Sequence, residues 1–166
     1  MPRTTALIEC LATVDVCRLA NVHPSTLDYW VRTGLVTPSL RTDPGRRRTR
    51  LWTVLDAVIV RAVAALRVSG CSLQQVRRAT AQVEKEWGRV RADTTLVWTG
   101  DDVVRIGPDG QIESLLRLPR QQVLRFVALP LGSWQGEASQ AVGYIRKDRV
   151  EFGVPAATQE RALKAI

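Results

Sequence analysis

The chain has 166 residues, enough for one ordinary domain or two small ones, and 45% of them are hydrophobic, which excludes wholesale disorder. Three cysteines without a C-x-x-C spacing argue against a disulfide framework. The start of the chain does not resemble a signal peptide, and no apolar run reaches 18 residues. We therefore expect a cytoplasmic protein that has no membrane partner.

The net charge of +8 is concentrated in the amino-terminal half of the chain. Residues 1–91 contain 15 Lys and Arg against 7 Asp and Glu, whereas residues 92–166 contain nine of each. Most of the basic residues are arginines, which bind phosphates and guanine edges better than lysines do. A GC-rich coding sequence would also favour arginine, but it would not cluster it. The asymmetry predicts a polyanion-binding domain, residues 1–91, joined to a neutral domain, residues 92–166.

Two short helices are predicted near the start of the chain. Residues 1–12 give no clear signal, and Thr13 is a candidate cap for a first helix that ends near Ala20. After a tight turn, His23 occupies a cap position and is followed by a proline, which is favoured at the first position of a helix. This second helix is predicted to end near Thr33, before a glycine.

A basic segment and two longer helices follow. Residues 38–50 contain two prolines and a glycine and are predicted to form a β-hairpin or loop. Capping boxes that begin at Thr53 and Ser72 then open helices of about residues 54–69 and 72–90.

The pattern changes to period two and to β-branched residues after residue 91, which predicts strands. The predicted strands are Thr95–Trp98, Val103–Ile106, Gln111–Leu116, Val123–Leu129, Ala141–Ile145 and Arg149–Phe152. Glycine and serine are frequent in residues 132–140, which predicts a loop there. The expected fold class is α+β, with a helical amino-terminal domain and a small antiparallel β-rich domain of residues 92–166.

The second helix and the basic hairpin have the composition of a DNA-reading surface. A helix that enters the major groove needs short polar residues near its amino end and an apolar back, which Leu27 and Trp30 supply. The hydroxyls of Thr26 and Tyr29 are expected to bond phosphates, and the hairpin arginines to lie along the flanking backbone or in the minor groove. The candidate DNA-binding residues are Ser25, Thr26, Asp28, Tyr29, Arg32, Arg41, Arg46, Arg47, Arg48 and Arg50.

These segments resemble the winged helix-turn-helix domain of the MerR family of transcription regulators. The residues that carry the resemblance are T-L-D-Y-W-V-R-T-G-L (Thr26–Leu35), Pro38, R-L-W (Arg50–Trp52) and G-C-S-L-Q-Q-V (Gly70–Val76). The resemblance covers about 75 residues and implies DNA contacts at Thr26, Tyr29 and the arginines of the wing, which is the basic hairpin, including Arg50.

Asp28 departs from this pattern, because the family has an arginine at the position. A carboxylate in the groove repels phosphate, although it can accept a hydrogen bond from cytosine. Alternatively, Asp28 can pair with Arg32 four residues further along the helix. A helix-turn-helix retained only as a protein-binding scaffold is the alternative for the whole segment.

The order of elements after residue 72 is similar to the MerR-type antitoxins of type II toxin–antitoxin modules. The matching segments are S-L-Q-Q-V-R-R-A-T (Ser72–Thr80), L-V-W-T-G-D-D-V-V (Leu96–Val104), P-D-G (Pro108–Gly110) and L-L-R-L-P-R-Q-Q-V-L (Leu115–Leu124). This resemblance implies a toxin protein as partner and repression of the protein's own operon.

Nothing in the sequence predicts catalysis, a cofactor or a metal site. His23 is the single histidine and sits at a helix cap, and the adjacent acids Asp101 and Asp102 fit a solvated turn. We therefore expect not an enzyme but a sequence-specific regulator that binds double-stranded DNA, most simply a repressor that acts as a homodimer or cooperative oligomer. An antitoxin that neutralises a toxin is the alternative.

Overall fold

The structure, a computed structural model, describes residues 6–42, 49–99, 103–106, 112–114 and 127–152. Its helices are α1 (Thr13–Ala20), α2 (Pro24–Arg32), α3 (Val54–Val68), α4 (Leu73–Glu86) and α5 (Leu131–Gln140). Its strands are β1 (Leu7–Ala12), β2 (Leu40–Thr42), β3 (Arg50–Trp52), β4 (Thr95–Trp98), β5 (Val103–Ile106), β6 (Ile112–Ser114), β7 (Val127–Leu129), β8 (Gly143–Arg146) and β9 (Val150–Phe152). Within these residues the helices and two antiparallel sheets make the α+β fold that the sequence predicts.

The described residues divide between two compact units. The first unit lies within residues 1–57 and 138–166, and the second within residues 58–137. The boundary near residue 92 that the sequence suggested lies inside the second unit. As a division of function between residues 1–91 and residues 92–166, that boundary stays a prediction.

The first unit is built on a five-stranded sheet in the order β8-β1-β3-β2-β9. Strands β2 and β3 form the predicted hairpin, with Leu40 opposite Leu51 and Arg41 opposite Arg50. β1 was not predicted, and it pairs with both β3 and β8. The side chains of Ile8, Cys10, Leu40 and Leu51 form a buried cluster on this sheet.

Local signals shape the two short helices of the first unit. Asn21, between α1 and α2, has a φ of 53°, a left-handed conformation that asparagine tolerates better than most residues. His23 caps α2 as predicted, since its Nδ1 accepts the backbone N–H of Ser25 at 3.2 Å. The prediction that Thr13 caps α1 is wrong. Its hydroxyl instead accepts a hydrogen bond from the indole of the fully buried Trp52, at 3.0 Å.

Both predicted capping boxes are present. The hydroxyl of Thr53 accepts the N–H of Asp56 at 3.1 Å, and the Asp56 carboxylate accepts the N–H of Thr53 at 2.9 Å. Ser72 and Gln75 make the same reciprocal pair at the start of α4. These bonds satisfy backbone donors that the first helical turn would otherwise leave without partners.

The second unit contains a four-stranded sheet in the order β6-β5-β4-β7. β4 and β5 have the predicted bounds, and Leu96 and Trp98 of β4 are buried together with Leu129 of β7. Of the other predicted strands, Ala141–Ile145 is observed as Gly143–Arg146 and Arg149–Phe152 as Val150–Phe152. Residues 111, 115–116 and 123–126 of the remaining two lie outside the described residues.

The prediction of a loop over residues 132–140 is wrong, because these residues form most of helix α5. Leu131, Trp134 and Ala138 recur at helical spacing and are buried. This apolar stripe is short, and the glycines and serines between its residues favour a loop prediction.

Candidate nucleic-acid interface

Helix α2 separates an apolar face from a polar one. Leu27 is fully buried and Trp30 nearly so, which fixes the helix on the first unit. Ser25, Tyr29 and Arg32 are exposed and recur at spacings of four and three residues, so they share the opposite face. The structure therefore brings these three predicted DNA-binding residues together on one solvent-facing surface.

The amino end of this face is held by the cap. His23 Nδ1 lies 2.7 Å from the hydroxyl oxygen of Ser25, in addition to accepting the Ser25 N–H. Thr26 is half-buried, and its N–H donates to the backbone oxygen of His23 at 2.9 Å. Gly34, with a φ of 69°, follows the other end of the helix, as predicted.

Asp28 lies in the polar face and is paired with two arginines. Its Oδ2 is 3.0 Å from Nε of Arg32, which confirms the predicted pair four residues apart. Its Oδ1 accepts a hydrogen bond from Nη1 of Arg50 at 2.7 Å. The Arg50 hydrogen bond, together with the charges of both arginines, lowers the pKa of the Asp28 carboxyl below its usual value. Asp28 is therefore a carboxylate near neutral pH, and two cations offset its charge.

The link between Asp28 and Arg50 joins helix α2 to strand β3 at the base of the wing. The two residues are 22 positions apart in the sequence, so no helical or strand spacing could have revealed it. The only sequence signal was complementary charge, which many pairs in this arginine-rich segment share. Sequence reasoning assigned Arg50 to DNA contact alone and did not find this role.

Of the remaining wing arginines, Arg41 is among the described residues and three others are not. Arg41 lies on β2 directly opposite Arg50, is half-buried, and has a buried Nε without a hydrogen-bond partner in the described part of the chain. The predicted contacts Arg46, Arg47 and Arg48 lie outside the described residues.

The described residues hold no group of three or more His, Cys, Asp or Glu side chains that could bind a metal ion. Burial raises the pKa of the Cys10 and Cys17 thiols, which disfavours the reactive thiolate. Among the described helices, none is both long and apolar enough to cross a bilayer.

Together, the fold and this surface define a winged helix-turn-helix: α1, the turn at Asn21, α2, and the β2–β3 hairpin. Residues 13–49 match the family model described as "MerR family regulatory protein". The resemblance to MerR-family regulators that the sequence suggested is thereby confirmed for this segment.

Curated relatives point the same way. The chain is 31% identical over 103 residues to an uncharacterized HTH-type transcriptional regulator of Mycobacterium bovis and to one of Mycobacterium tuberculosis. The aligned part is 62% of this chain and 46% of each relative, so the chain spans about half the length of these proteins. The matched family and both relatives are described as regulators.

Proposed function

We propose that this protein is a transcription regulator that binds double-stranded DNA in a sequence-specific manner. The observation that carries the proposal is the polar face of α2, opposite buried Leu27 and Trp30, in a segment that matches the MerR family. A helix with this division can enter the major groove while its apolar side stays packed on its own domain.

The side chains divide the work of binding between backbone and bases. The hydroxyls of Ser25, Thr26 and Tyr29 bond phosphate oxygens and set the position of the helix, while Arg32 reaches base edges. The wing supplies positive charge for the flanking phosphates and the minor groove, from Arg41, Arg46, Arg47, Arg48 and Arg50.

Repression by a dimer is the simplest mode of action. One module of this size makes few base contacts, so two copies on a repeated or palindromic site are needed for useful affinity. Residues 92–166 supply the contacts between copies or with a partner protein, and the bound dimer blocks access to a promoter.

The test measures the salt dependence of binding to duplex DNA. Replacing Arg46, Arg47 and Arg48 together by Ala should weaken binding to all sequences. The slope of log affinity against log salt should fall by about 0.9 for each phosphate that the variant no longer neutralises. Arg50 is left in place because it also holds Asp28.

A triple variant elsewhere in the chain controls for net charge. Arg77, Lys85 and Arg89 are exposed and lie in the second unit, and their replacement by Ala removes the same number of positive charges. If this control reduced the slope as much as the wing variant, the wing would have no special role. If the unmodified protein bound no duplex at low salt, alone or with its natural partner, the proposed function would be wrong.

An antitoxin role is the second candidate, and one observation favours it. Helix α4 ends at Glu86 and strands β4 and β5 follow, where MerR-family regulators usually continue into a long dimerisation helix. The discriminating experiment expresses the chain with the product of the adjacent gene. A stable complex that relieves toxicity supports this role, and a homodimer that ignores the neighbour argues against it.

A further inference from the structure

Asp28 pairs with two arginines at the polar face of α2, one on the same helix and one on β3. Its two carboxylate oxygens are divided between them, Oδ1 with Arg50 at 2.7 Å and Oδ2 with Arg32 at 3.0 Å. The side chain of Asp28 is 43% exposed, so the cluster lies at the surface rather than in the core. Because the cluster lies on the exposed face of α2, it would be in contact with any molecule that binds this face.

Arg32 is held through Nε, at the inner end of its guanidinium group. Its two terminal amino groups have no hydrogen-bond partner in the described part of the chain, and the side chain is 68% exposed. These two groups are the pair that donates to O6 and N7 of guanine in the major groove. A long side chain fixed in advance loses less conformational freedom on binding than a mobile one does.

The same carboxylate also reduces the repulsion between two arginines at the base of the wing. Arg41 and Arg50 are directly opposite each other on β2 and β3, and like charges in this arrangement repel. Since Asp28 bonds Arg50, it offsets the repulsion and commits one donor of Arg50 to the protein itself. Of the two arginines that pair with Asp28, Arg32 is thereby the one that keeps both terminal amino groups uncommitted within the described residues.

We infer that Asp28 is a positioning residue for sequence reading: it orients Arg32 so that its terminal amino groups select guanine. This inference rests on the proposed DNA-binding function. It differs from a direct role in which the carboxylate accepts a hydrogen bond from cytosine, because Asp28 acts here through a second side chain.

The experiment selects bound sites from a random duplex library with this chain and its variants. The unmodified protein should prefer guanine at one position of each half-site, and Arg32→Ala should abolish that preference. Asp28→Asn keeps the shape of the side chain but removes its charge, and should weaken the preference on the order of tenfold. The double variant should match Arg32→Ala, because Asp28 has no effect once its partner is gone.

A matched control separates positioning from charge. Asp15 pairs with Arg18 on α1 at 3.4 Å, so Asp15→Asn makes the same charge change on α1 instead of α2. It should leave the guanine preference unchanged, although both variants raise non-specific affinity at low salt.

Several outcomes would overturn the inference while leaving the proposed function intact. They are specific binding without a guanine preference, a preference that survives Arg32→Ala, or independent, additive effects of the two substitutions. A preference for cytosine that Asp28→Asn alone removes would indicate the direct role instead. Failure of the unmodified protein to bind any duplex would refute the proposed function itself.

Discussion

Asp56 is an ionisable side chain that is almost completely buried, and it ties two segments of the first unit together. Its Oδ2 accepts the N–H groups of Ser39 and Thr53, each at 2.9 Å, and its Oδ1 bonds the Ser39 hydroxyl at 2.7 Å. One segment precedes the wing and the other begins α3. A single carboxylate therefore fixes where the chain enters and leaves the hairpin.

Replacing Asp56 by Ala should destabilise the protein by about 1–3 kcal/mol, because the buried donors of Ser39 and the partly buried N–H of Thr53 would lose their acceptor. Urea unfolding followed by circular dichroism measures the change. Asp15→Ala, which removes an exposed ion pair, is the control and should change stability by less than about 1 kcal/mol. Equal effects of the two substitutions would contradict the role of Asp56.

The protonation of Asp56 makes a second, separate prediction. Burial raises the pKa of this carboxyl above its ordinary value of 3.8, and the hydrogen bonds from Thr53 and Ser39 offset only part of the effect. The folded state therefore holds the proton more tightly than the unfolded state does. The stability that depends on this proton is complete below the unfolded pKa and is lost as the pH rises through the folded one.

Asp56→Asn should consequently gain stability relative to the unmodified protein as the pH is raised from about 4 to 7. The amide resembles the protonated acid and does not titrate, and the Ser39 hydroxyl can accept from it as readily as it donates to the carboxylate. Urea midpoints of both proteins across this range measure the difference, in which other titrating groups cancel. A difference that shrinks with rising pH would contradict the raised pKa.

Among the elements, helix α5 depends most visibly on contacts outside itself. The Arg61 guanidinium lies 4.9 Å from the centre of the Trp134 ring and pairs with Glu137 at 2.7 Å. The hydroxyl of Ser133 bonds the same carboxylate at 3.2 Å. A ten-residue helix with two glycines is unstable alone, so these contacts and its buried stripe account for its formation.

The two glycines of α5 should respond in opposite ways to alanine. Gly136 is exposed, and a Cβ there would meet nothing within 4 Å, so Gly136→Ala should stabilise by about 0.5–1 kcal/mol. A Cβ on Gly132 would collide with the backbone oxygens of Arg91 and Ala92, so Gly132→Ala should destabilise. Thermal unfolding distinguishes them. Destabilisation by Gly136→Ala would mean that residues 131–140 are not helical.

The elements that the sequence predicted well are those with local signals. The capping residues His23, Thr53 and Ser72 each bond a backbone N–H two or three residues further along, so a short stretch of sequence reveals each helix start. The hairpin is likewise bounded by turn residues. β1 and α5 lack such signals, because pairing and packing with residues far along the chain hold them. Composition alone therefore left β1 unassigned and made α5 look like a loop.

In the candidate site, too, the features with a local sequence signal were predictable and those that depend on long-range contacts were not. The shared face of Ser25, Tyr29 and Arg32 follows from helical spacing once α2 is assigned, and so does the pair of Asp28 with Arg32. The bond from Arg50 to Asp28 requires the hairpin to fold back against α2. That arrangement depends on how the hairpin packs against α2, a contact between residues far apart in the chain that local sequence patterns do not reveal.

At the scale of the whole molecule, the amino-terminal sheet is completed by the far end of the chain. β8 pairs with β1, matching Leu7 with Arg146, and β9 pairs with β2, matching Leu40 with Phe152. Both outer strands of the sheet that carries the wing thus come from the last described residues. Pairings of such sequence separation slow folding, and the wing should acquire its full stability only after residues 143–152 have been synthesised.

Substitutions in β8 test whether this strand supports the wing. Ile145 packs against the buried cluster of Ile8, Cys10, Leu40 and Leu51, whereas the neighbouring Tyr144 is 65% exposed. Since Ile145 is only partly buried, Ile145→Ala should cost about 1–2 kcal/mol, below the range for a fully buried isoleucine, and Tyr144→Ala less than about 0.5. Amide hydrogen exchange locates the effect. We expect faster exchange at Leu40 and Leu51 in Ile145→Ala but not in Tyr144→Ala. The loss of Ile145 weakens the packing of the buried cluster that holds the β2–β3 hairpin. Unchanged exchange in the hairpin would mean that it stands without β8, which would then have no part in holding the proposed DNA-reading surface.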